Sequence, residues 1–208
     1  MTEQEWKQTL EQRHGTDLQS KFSSAHVAVC GLGGLGSNVA ISLARAGVGT
    51  LLLIDFDSVD ISNLHRQQYK TSQLGMYKTE AMIQTLSEIT SYCNVRLYTG
   101  KLTKENLSLI ADCNIICECF DHAEYKAMLV NSVSEYYPEK YIVAASGMSG
   151  LHSGNLIQTQ KLGKRLYICG DGIHDVKDDG TLFAPRVMLC AAHQANTVLR
   201  ILAGKFDA

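Results

Sequence analysis

A glycine-rich loop follows the first apolar stretch of the chain and reads Gly31-Leu32-Gly33-Gly34-Leu35-Gly36. In a strand-to-helix context, the first glycine permits a tight turn, the second lets the backbone approach a ligand, and the helix N-terminus offers N–H groups to phosphate. Asp55 ends the next apolar stretch, 24 positions after Gly31 (55 − 31). That is close to the spacing of about 20 at which an acid grips a ribose hydroxyl. The pattern predicts a nucleotide site rather than a purely structural turn, and ATP, NAD, FAD and S-adenosylmethionine all fit it.

Two cations follow the second apolar stretch at positions that suit phosphate chemistry. Transfer of AMP to a carboxylate needs the triphosphate held and its developing negative charge neutralised. Arg66 offers a planar fork to phosphate oxygens and Lys78 a mobile point charge. Asn63 offers a hydrogen bond that orients a phosphate or the attacking carboxylate. The alternative is that both cations are solvated surface residues, but their association with the glycine loop and Asp55 favours a shared phosphate site.

The combined pattern resembles the ThiF/MoeB/HesA family of ubiquitin-activating-type adenylyltransferases. Four pieces of the family pattern occur in order: GxGGLG at 31–36, acid-x-acid at 55–57, S-N-L-x-R-Q at 62–67 and G-x-x-K at 75–78. The chain length and the segments at 144–148 and 184–187 are most similar to the short, zinc-less ThiF subgroup. The resemblance implies ATP-dependent adenylation of the C-terminal glycine carboxylate of a small ubiquitin-like sulfur carrier, ThiS-like and ending in Gly-Gly, in thiamine (thiazole) biosynthesis.

The same resemblance assigns roles to individual side chains. Arg66, Lys78 and Asp121 are the expected catalytic residues, with Asp121 as the ligand of Mg²⁺. The expected nucleotide-binding residues are Gly31, Gly33, Gly34, Gly36, Asp55, Asp57, Asn63, Arg66, Gln67, Lys78 and Leu102. Asp121 also follows a predicted strand, at the edge where ligands of open α/β sheets bind. A helix N-cap is its alternative role, compatible with the first, and Asp57 is expected either to touch nucleotide or to brace Arg66.

The sequence leaves other functions open. Within the family, the acceptor is alternatively a molybdopterin-pathway carrier or a tRNA carboxylate, although a tRNA substrate predicts a basic patch that the formal net charge of -2 does not support. An NAD-dependent oxidoreductase is a different class, but the 62 residues after Ser146 show no evident substrate domain or hydride-transfer site. A nucleotide-binding module without catalysis differs from the enzyme only in turnover.

Two features of many relatives are missing from this sequence. It has no Cys-x-x-Cys pair, so a structural zinc is not expected. The polar segment 170–180 contains no cysteine, which argues against covalent thioester or persulfide chemistry, and we interpret it as a solvated, mobile crossover loop. The seven cysteines are interpreted as reduced thiols, with Cys169 buried and inert. The resemblance implies a homodimer, in which Arg13 is the candidate for an arginine that reaches the partner subunit's site.

The elements that must hold these residues alternate along the chain. Apolar runs predict strands at 26–30, 50–54, 94–98, 114–118 and 140–145, and helical patterns cover 34–46, 73–89, 104–111 and 123–136. This alternation predicts an α/β fold with a Rossmann-like parallel sheet and helices on both faces. Segments 154–160 and 164–169 predict antiparallel strands that extend the sheet, and 185–202 predicts a C-terminal helix that closes the domain.

The overall organisation is expected to be simple. Residues 1–24 predict a polar helical arm that docks through Trp6 and Leu10, and residues 25–208 predict a single nucleotide-binding adenylation domain. The net charge of -2 gives no general attraction to nucleic acid or to an anionic membrane. No apolar run approaches the roughly 18 residues that a membrane helix requires. A cytoplasmic protein without nucleic-acid or membrane partners is therefore expected.

Overall fold

The computed structural model describes residues 1–90 and 92–208 of the chain. This part of the chain contains seven strands and seven α-helices. The helices are α1 (Glu3–His14), α2 (Thr16–Ser23), α3 (Gly34–Arg45), α4 (Lys78–Ser87), α5 (Ala123–Tyr136), α6 (Val176–Asp179) and α7 (Ala184–Leu202). The strands are β1 (His26–Cys30), β2 (Thr50–Asp55), β3 (Asn94–Thr99), β4 (Ile115–Glu118), β5 (Tyr141–Ala145), β6 (Gln158–Leu162) and β7 (Leu166–Gly170).

All seven strands form one sheet in the order β3-β2-β1-β4-β5-β7-β6. Every neighbouring pair is parallel except β6 and β7, which are antiparallel at one edge. The predicted Rossmann-like α/β fold is thus confirmed. Because β1 pairs with β2 on one side and β4 on the other, the chain direction across the sheet reverses there. Ligands of open α/β sheets bind in the crevice that such a reversal opens at the carboxyl ends of the strands.

The central strands are buried on both faces, as expected when helices cover both sides of a parallel sheet. In β1, Val27 and Val29 belong to one hydrophobic cluster and Ala28 and Cys30 to the other, because successive side chains point to opposite faces. Helices α3 and α7 cover the first face and α5 covers the second. No helix in the described part of the chain is long and apolar enough to cross a membrane.

Two predicted helices are shorter than the sequence pattern indicated. The helix predicted at 73–89 begins only at Lys78, since Gly75 adopts a left-handed backbone (φ 84°) that interrupts it. The helix predicted at 104–111 is wrong: only a 3₁₀ turn forms, at Leu107–Ile110. Asn106 bonds instead to the Thr103 N–H (2.7 Å) and the Lys101 carbonyl (2.9 Å), and such local bonds compete with helical ones.

The segment after β5 also differs from its prediction. Gly154–Leu156 forms a 3₁₀ turn instead of the start of a strand, because the Ser153 hydroxyl caps the Asn155 N–H. The two later strands do pair antiparallel, but β7 also pairs parallel with β5, so only β6 is antiparallel to its neighbour. The segment 170–180, predicted as a loop, contains the short helix α6, which Asp175 caps.

The N-terminal arm is two helices rather than one. Thr2 and Glu5 form a capping box that starts α1, and Gly15 separates it from α2 with a positive φ of 86°. Leu10 is buried, as predicted, while Trp6 is only partly covered. The arm is also tied to the body by a hydrogen bond from Gln19 Nε2 to the Gly47 carbonyl (3.2 Å).

Candidate nucleotide-binding and active site

A cleft of about 500 Å³ lies at the carboxyl edge of the sheet, where β1 and β4 part. Its volume is in the range of small-molecule sites, about 300–1,000 Å³. The predicted site residues that line it are Gly31, Gly33, Gly34, Asp55, Asp57, Arg66, Gln67, Lys78, Leu102 and Asp121. The fold thus brings together predicted site residues from six separate segments of the chain.

At two of its positions the glycine loop is packed too tightly against other backbone for a side chain to fit. A Cβ on Gly31, whose φ is 93°, would lie 2.7 Å from the Cys119 carbonyl oxygen. A Cβ on Gly36 would lie 2.9 Å from the Gly31 carbonyl carbon and would overlap its oxygen. Gly36 does not line the cleft but packs beneath the loop. Gly33, at the N-cap of α3, has open space, with only Gln67 Nε2 at 3.8 Å.

Asp55 holds the glycine loop against the end of β2. Its carboxylate accepts hydrogen bonds from the Leu32 N–H (2.6 Å) and the Asp57 N–H (2.8 Å). Burial raises the pKa of Asp55, and the charge of Lys78 opposes that rise. Asp55 is therefore a structural anchor of the loop as well as a wall of the cleft.

Lys78 begins α4 and pairs with Asp57 at 2.8 Å, with only 7% of its side chain exposed. The sequence left open whether Asp57 touches nucleotide or braces Arg66. The side chain that Asp57 braces is that of Lys78, and its contact with nucleotide stays a prediction. Tyr69 lies behind the pair and donates its hydroxyl to the Leu32 carbonyl (2.8 Å). The ammonium is thus held at the cleft surface by one partner, and it has further N–H donors to offer.

The turn at 61–67 presents Arg66 and Gln67 to the cleft. The Asn63 carbonyl accepts the N–H groups of both residues (3.1 and 3.0 Å), and its carboxamide oxygen caps the Asp60 N–H (3.1 Å). Asn63 itself does not line the cleft, so a direct ligand role stays a prediction. Gln67 is buried, and its Oε1 has no hydrogen-bond partner within the described residues. A ligand hydroxyl would satisfy that acceptor.

Asp121 lies on the opposite wall, in the loop between β4 and α5. Its side chain is 84% exposed, and its Oδ1 lies 3.9 Å from His122 Nε2. The N-cap interpretation is wrong, because α5 begins after His122, which makes no side-chain cap bond. Among the described residues, no group of three or more His, Cys, Asp or Glu stands ready to hold a metal. Asp121 therefore offers a single carboxylate, and Leu102 forms the apolar end of the same wall.

A buried ion pair at this wall was not predicted from the sequence. Glu118 ends β4, and Lys126 lies in α5 with its Nζ 2.9 Å from Glu118 Oε2. Burial raises the pKa of Glu118, and the charge of Lys126 opposes that rise. The sequence does carry a signal for this pair. An acid ends a buried strand, and a lysine follows it eight residues later (126 − 118).

A strap formed by residues 171–183 crosses the outer side of the cleft and contributes His174, Asp175, Val176 and Leu182 to its lining. Asp171 anchors one end and accepts bonds from the Arg186 guanidinium and from His174 Nδ1 (2.7 Å). Burial alone would raise the pKa of Asp171, but these bonds and two backbone N–H groups outweigh it and lower the pKa.

The other end of the strap is held by Asp179. It accepts a bond from Ser149 and pairs with His152 Nε2 at 2.9 Å, and the rings of His152 and His174 stack with centroids 3.5 Å apart. Asp171, His174 and Asp179 of this segment, which was predicted to be solvated, are thus engaged in a defined network, while Asp175 and Asp178 are exposed.

The cysteines are free thiols within the described residues, and all except Cys93 are buried. Burial raises the pKa of Cys119 and Cys169. Cys169 is fully buried, as predicted. Arg13 lies exposed on α1 and does not line the cleft, so its proposed reach into a partner subunit stays a prediction.

Comparison with known families and sequences gives a consistent result. The model described as the ThiF family matches residues 7–208. The adenylyltransferase and sulfurtransferase UBA4 of Candida glabrata is 31% identical over 196 residues, which are 91% of this chain and 45% of that protein. The molybdopterin-synthase adenylyltransferase of Haemophilus influenzae is 37% identical over 115 residues, which are 54% of this chain and 47% of that protein. The matches span less than half the length of these two curated relatives.

Solved structures extend the comparison. The structure of E. coli tRNA N6-threonylcarbamoyladenosine dehydratase, TcdA, in complex with ATP matches with a TM-score of 0.85 at 21% identity, covering 97% of this chain and 95% of that one. E. coli MccB with ATP matches with a TM-score of 0.69 at 23% identity, covering 91% and 59%. At these identities the likeness establishes the fold alone.

Proposed function

This chain belongs to the ThiF family, and on that premise we propose that it is an ATP-dependent adenylyltransferase that activates a carboxylate. The observation that carries the proposal is the convergence in one cleft of a glycine loop at a helix N-terminus, the cations Arg66 and Lys78, and the exposed carboxylate of Asp121. These are groups that hold a triphosphate and neutralise charge. Hydride transfer to or from a nicotinamide develops no new charge on phosphate, so two cations and a carboxylate at that position favour phosphoryl chemistry.

The reaction transfers AMP without a protein nucleophile. An oxygen of the acceptor carboxylate attacks the α-phosphorus of ATP and forms a new C–O–P linkage. The bond from that phosphorus to the oxygen bridging to the β-phosphorus breaks, and pyrophosphate leaves with the bridging oxygen. Arg66 and Lys78 offset the negative charge that grows on the phosphoryl oxygens, and N–H groups of the glycine loop bind the phosphates. Asp57 keeps Lys78 at the cleft surface until phosphate arrives.

Asp121 is the residue that would hold Mg²⁺. The fit is to an ion that takes one or two protein carboxylates and draws its other ligands from phosphate oxygens and water, because Asp121 is a single, exposed carboxylate at the cleft wall. When bound, Mg²⁺ supplies charge neutralisation at the phosphates.

The nucleoside would lie between Asp55 and Leu102. Asp55 uses one lone pair on each oxygen for backbone N–H groups, which leaves acceptor capacity for a ribose hydroxyl. The unpartnered Oε1 of Gln67 offers a second acceptor in the same region. The carboxylate of Asp55, which is buried at the cleft wall, would repel a 2′-phosphate by like charge, which favours ATP over a 2′-phosphorylated nucleotide.

The acceptor is a small ubiquitin-like sulfur carrier whose Gly-Gly tail passes beneath the strap at 171–183 to reach the α-phosphate. Glycines suit such a passage because they have no side chain. The two sequence relatives are named as an adenylyltransferase and sulfurtransferase and as a molybdopterin-synthase adenylyltransferase, which favours a protein acceptor in sulfur chemistry. The similarity of segments 144–148 and 184–187 to the ThiF subgroup favours a ThiS-like carrier, and the same resemblance favours a homodimer in the cytoplasm. A tRNA carboxylate is the second candidate, because one structural neighbour is named as a tRNA N6-threonylcarbamoyladenosine dehydratase.

Transfer of label from [α-³²P]ATP tests the proposal and separates these acceptors. The purified chain is incubated with Mg²⁺ and a ThiS-like carrier, the same carrier lacking its Gly-Gly tail, a molybdopterin-pathway carrier, or total tRNA. We expect label on an intact carrier and none on the truncated one. Label only on tRNA would move the acceptor to nucleic acid, and no transfer to any of them would contradict the adenylyltransferase proposal.

A further inference from the structure

The ion pair of Glu118 and Lys126 has every polar group engaged. Lys126 Nζ lies 2.9 and 3.2 Å from the two carboxylate oxygens of Glu118 and 3.1 Å from the carbonyl oxygen of Ala145. An ammonium has three donors, so all are used within the protein. Although Lys126 lines the cleft, it is therefore not a free cation for phosphate, in contrast to Lys78.

The contacts of this pair join three segments of the cleft wall. Glu118 Oε1 accepts the N–H of Phe120 at 2.7 Å, and Phe120 directly precedes Asp121. Lys126 belongs to the second turn of α5, and Ala145 is the last residue of β5, before the cleft residues 146–149. The pair thus fixes the β4–α5 loop, the start of α5 and the end of β5 relative to one another.

Stability alone gives a weak reason for an ion pair at this place. The Glu118 side chain is 1% exposed and that of Lys126 26% exposed, so both groups lose hydration on folding. Replacing a buried ion pair by neutral groups of similar size is often neutral or stabilising. The position of the ion pair beneath the Asp121 loop offers a second reason, which is to hold that loop in place. Asp121 is 84% exposed and its side chain makes no hydrogen bond within the described part of the chain, so its place is set by the backbone of its loop.

We infer that Glu118 and Lys126 are positioning residues that hold the Asp121 loop at the distance from the glycine loop at which nucleotide and divalent cation bind together. This inference rests on the proposed role of Asp121. It predicts that the pair controls how strongly Mg²⁺ enhances nucleotide binding, and that it affects metal-free nucleotide binding little, because Asp55, Arg66 and Lys78 lie on the other wall.

The test is Mg²⁺ titration of nucleotide binding, measured by calorimetry with a non-hydrolysable ATP analogue and no acceptor. The main variant is the double substitution Glu118→Gln/Lys126→Met, which leaves no lone buried charge. Loss of a residue that orients a metal ligand typically weakens metal affinity about 10- to 100-fold. We expect at least about a tenfold rise in the half-effect concentration, which is the Mg²⁺ concentration that gives half of the maximal increase in nucleotide affinity. Metal-free affinity is expected to stay within about threefold of wild type, a change of less than about 0.7 kcal/mol.

Two further variants separate positioning from general damage. Lys126→Arg keeps the cation and should restore most of the Mg²⁺ response. Lys70→Met removes the lysine of an ion pair with Glu88, outside the cleft lining, and should leave the response unchanged. Thermal unfolding of each variant checks that the fold persists; if the double variant does not fold, the comparison passes to Glu118→Gln alone.

The outcomes distinguish this inference from the proposed function. An unchanged Mg²⁺ half-effect in the folded variants, or a wild-type protein whose nucleotide affinity does not respond to Mg²⁺, would overturn it. A clear Mg²⁺ response that the double variant loses would support it even if no acceptor were adenylated, in which case only the proposed reaction would fail.

Discussion

Two glycines of one loop, three residues apart, should respond in opposite ways to the same substitution. In Gly36→Ala the new Cβ would lie 2.9 Å from the Gly31 carbonyl carbon and 3.1 Å from Val29 Cγ1. Comfortable carbon–carbon contacts are about 3.5–4.0 Å, so the loop must move. In Gly33→Ala the nearest atom is Gln67 Nε2 at 3.8 Å, which is ordinary contact.

The expected magnitudes follow from these distances. Overpacking costs about 1–3 kcal/mol, and the better helix propensity of alanine returns up to about 1 kcal/mol. Gly36→Ala should therefore lower the free energy of unfolding by about 2 kcal/mol, or Tm by about 4–8 °C for a chain of this size. Gly33→Ala should change stability by less than about 1 kcal/mol. Its methyl group would instead block phosphate from a backbone N–H, a bond to a charged group worth about 1.5–3 kcal/mol.

The assay pairs thermal unfolding by circular dichroism with calorimetric titration of ATP. Gly33→Ala should unfold near the wild-type temperature and bind ATP about 10- to 100-fold more weakly. Wild-type ATP affinity in Gly33→Ala would refute the placement of phosphate on this loop. A Gly36→Ala protein with an unchanged Tm would refute the packing argument.

Three more predictions concern single groups. At pH 8, Ellman's reagent should modify less than one thiol per folded chain and all seven after unfolding. The reason is that burial raises the thiol pKa even of half-buried Cys93, to about 11. Fast reaction of several thiols in the folded protein would contradict their burial. Lys78→Met should weaken ATP binding at least about tenfold, yet it should change the free energy of unfolding by no more than about 1 kcal/mol, because Asp57 stays hydrated. Asp57→Asn is the control. An equal loss of ATP affinity in both variants would assign the effect to the ion pair rather than to the cation. Since the folded-state pKa of Asp171 is lowered, its contribution to stability is present above its unfolded pKa of about 3.9 and is lost as the pH falls through the lower folded value. Acid unfolding followed by circular dichroism should therefore begin at a higher pH in Arg186→Met than in wild type, and coincident acid transitions would count against this role.

The sheet and the glycine loop were predictable because their signals are local. Buried parallel strands appear as continuous apolar runs, and Gly31 and Asp55 mark the ends of two of them. Helix 104–111 was predicted wrongly because its pattern is apolar at helical spacing, while Asn106 diverts the backbone with side-chain bonds. Such competition depends on the turn that precedes it and leaves little trace in periodicity.

Most of the predicted site residues line one cleft, Asn63 and Gly36 excepted, but the partners of their side chains were not predictable. Asp57 was expected beside nucleotide or Arg66, and it lies beside Lys78, because α4 begins at Lys78 and points its first turn at the end of β2. The strap and the Glu118–Lys126 pair depend on contacts between segments far apart in sequence, such as Lys126 with Ala145. Only the assembled sheet brings those segments together.

Isotope exchange between pyrophosphate and ATP is the sharpest single measurement of adenylation in this cleft. The reaction contains Mg²⁺ and the acceptor identified by label transfer, and it compares wild type with Arg66→Ala and Asp121→Ala. Exchange that requires the acceptor and falls at least about 100-fold in both variants is predicted, since each removes a charge that stabilises the transition state. Absence of exchange with every carrier and with tRNA, together with tight binding of NAD, would contradict the claim.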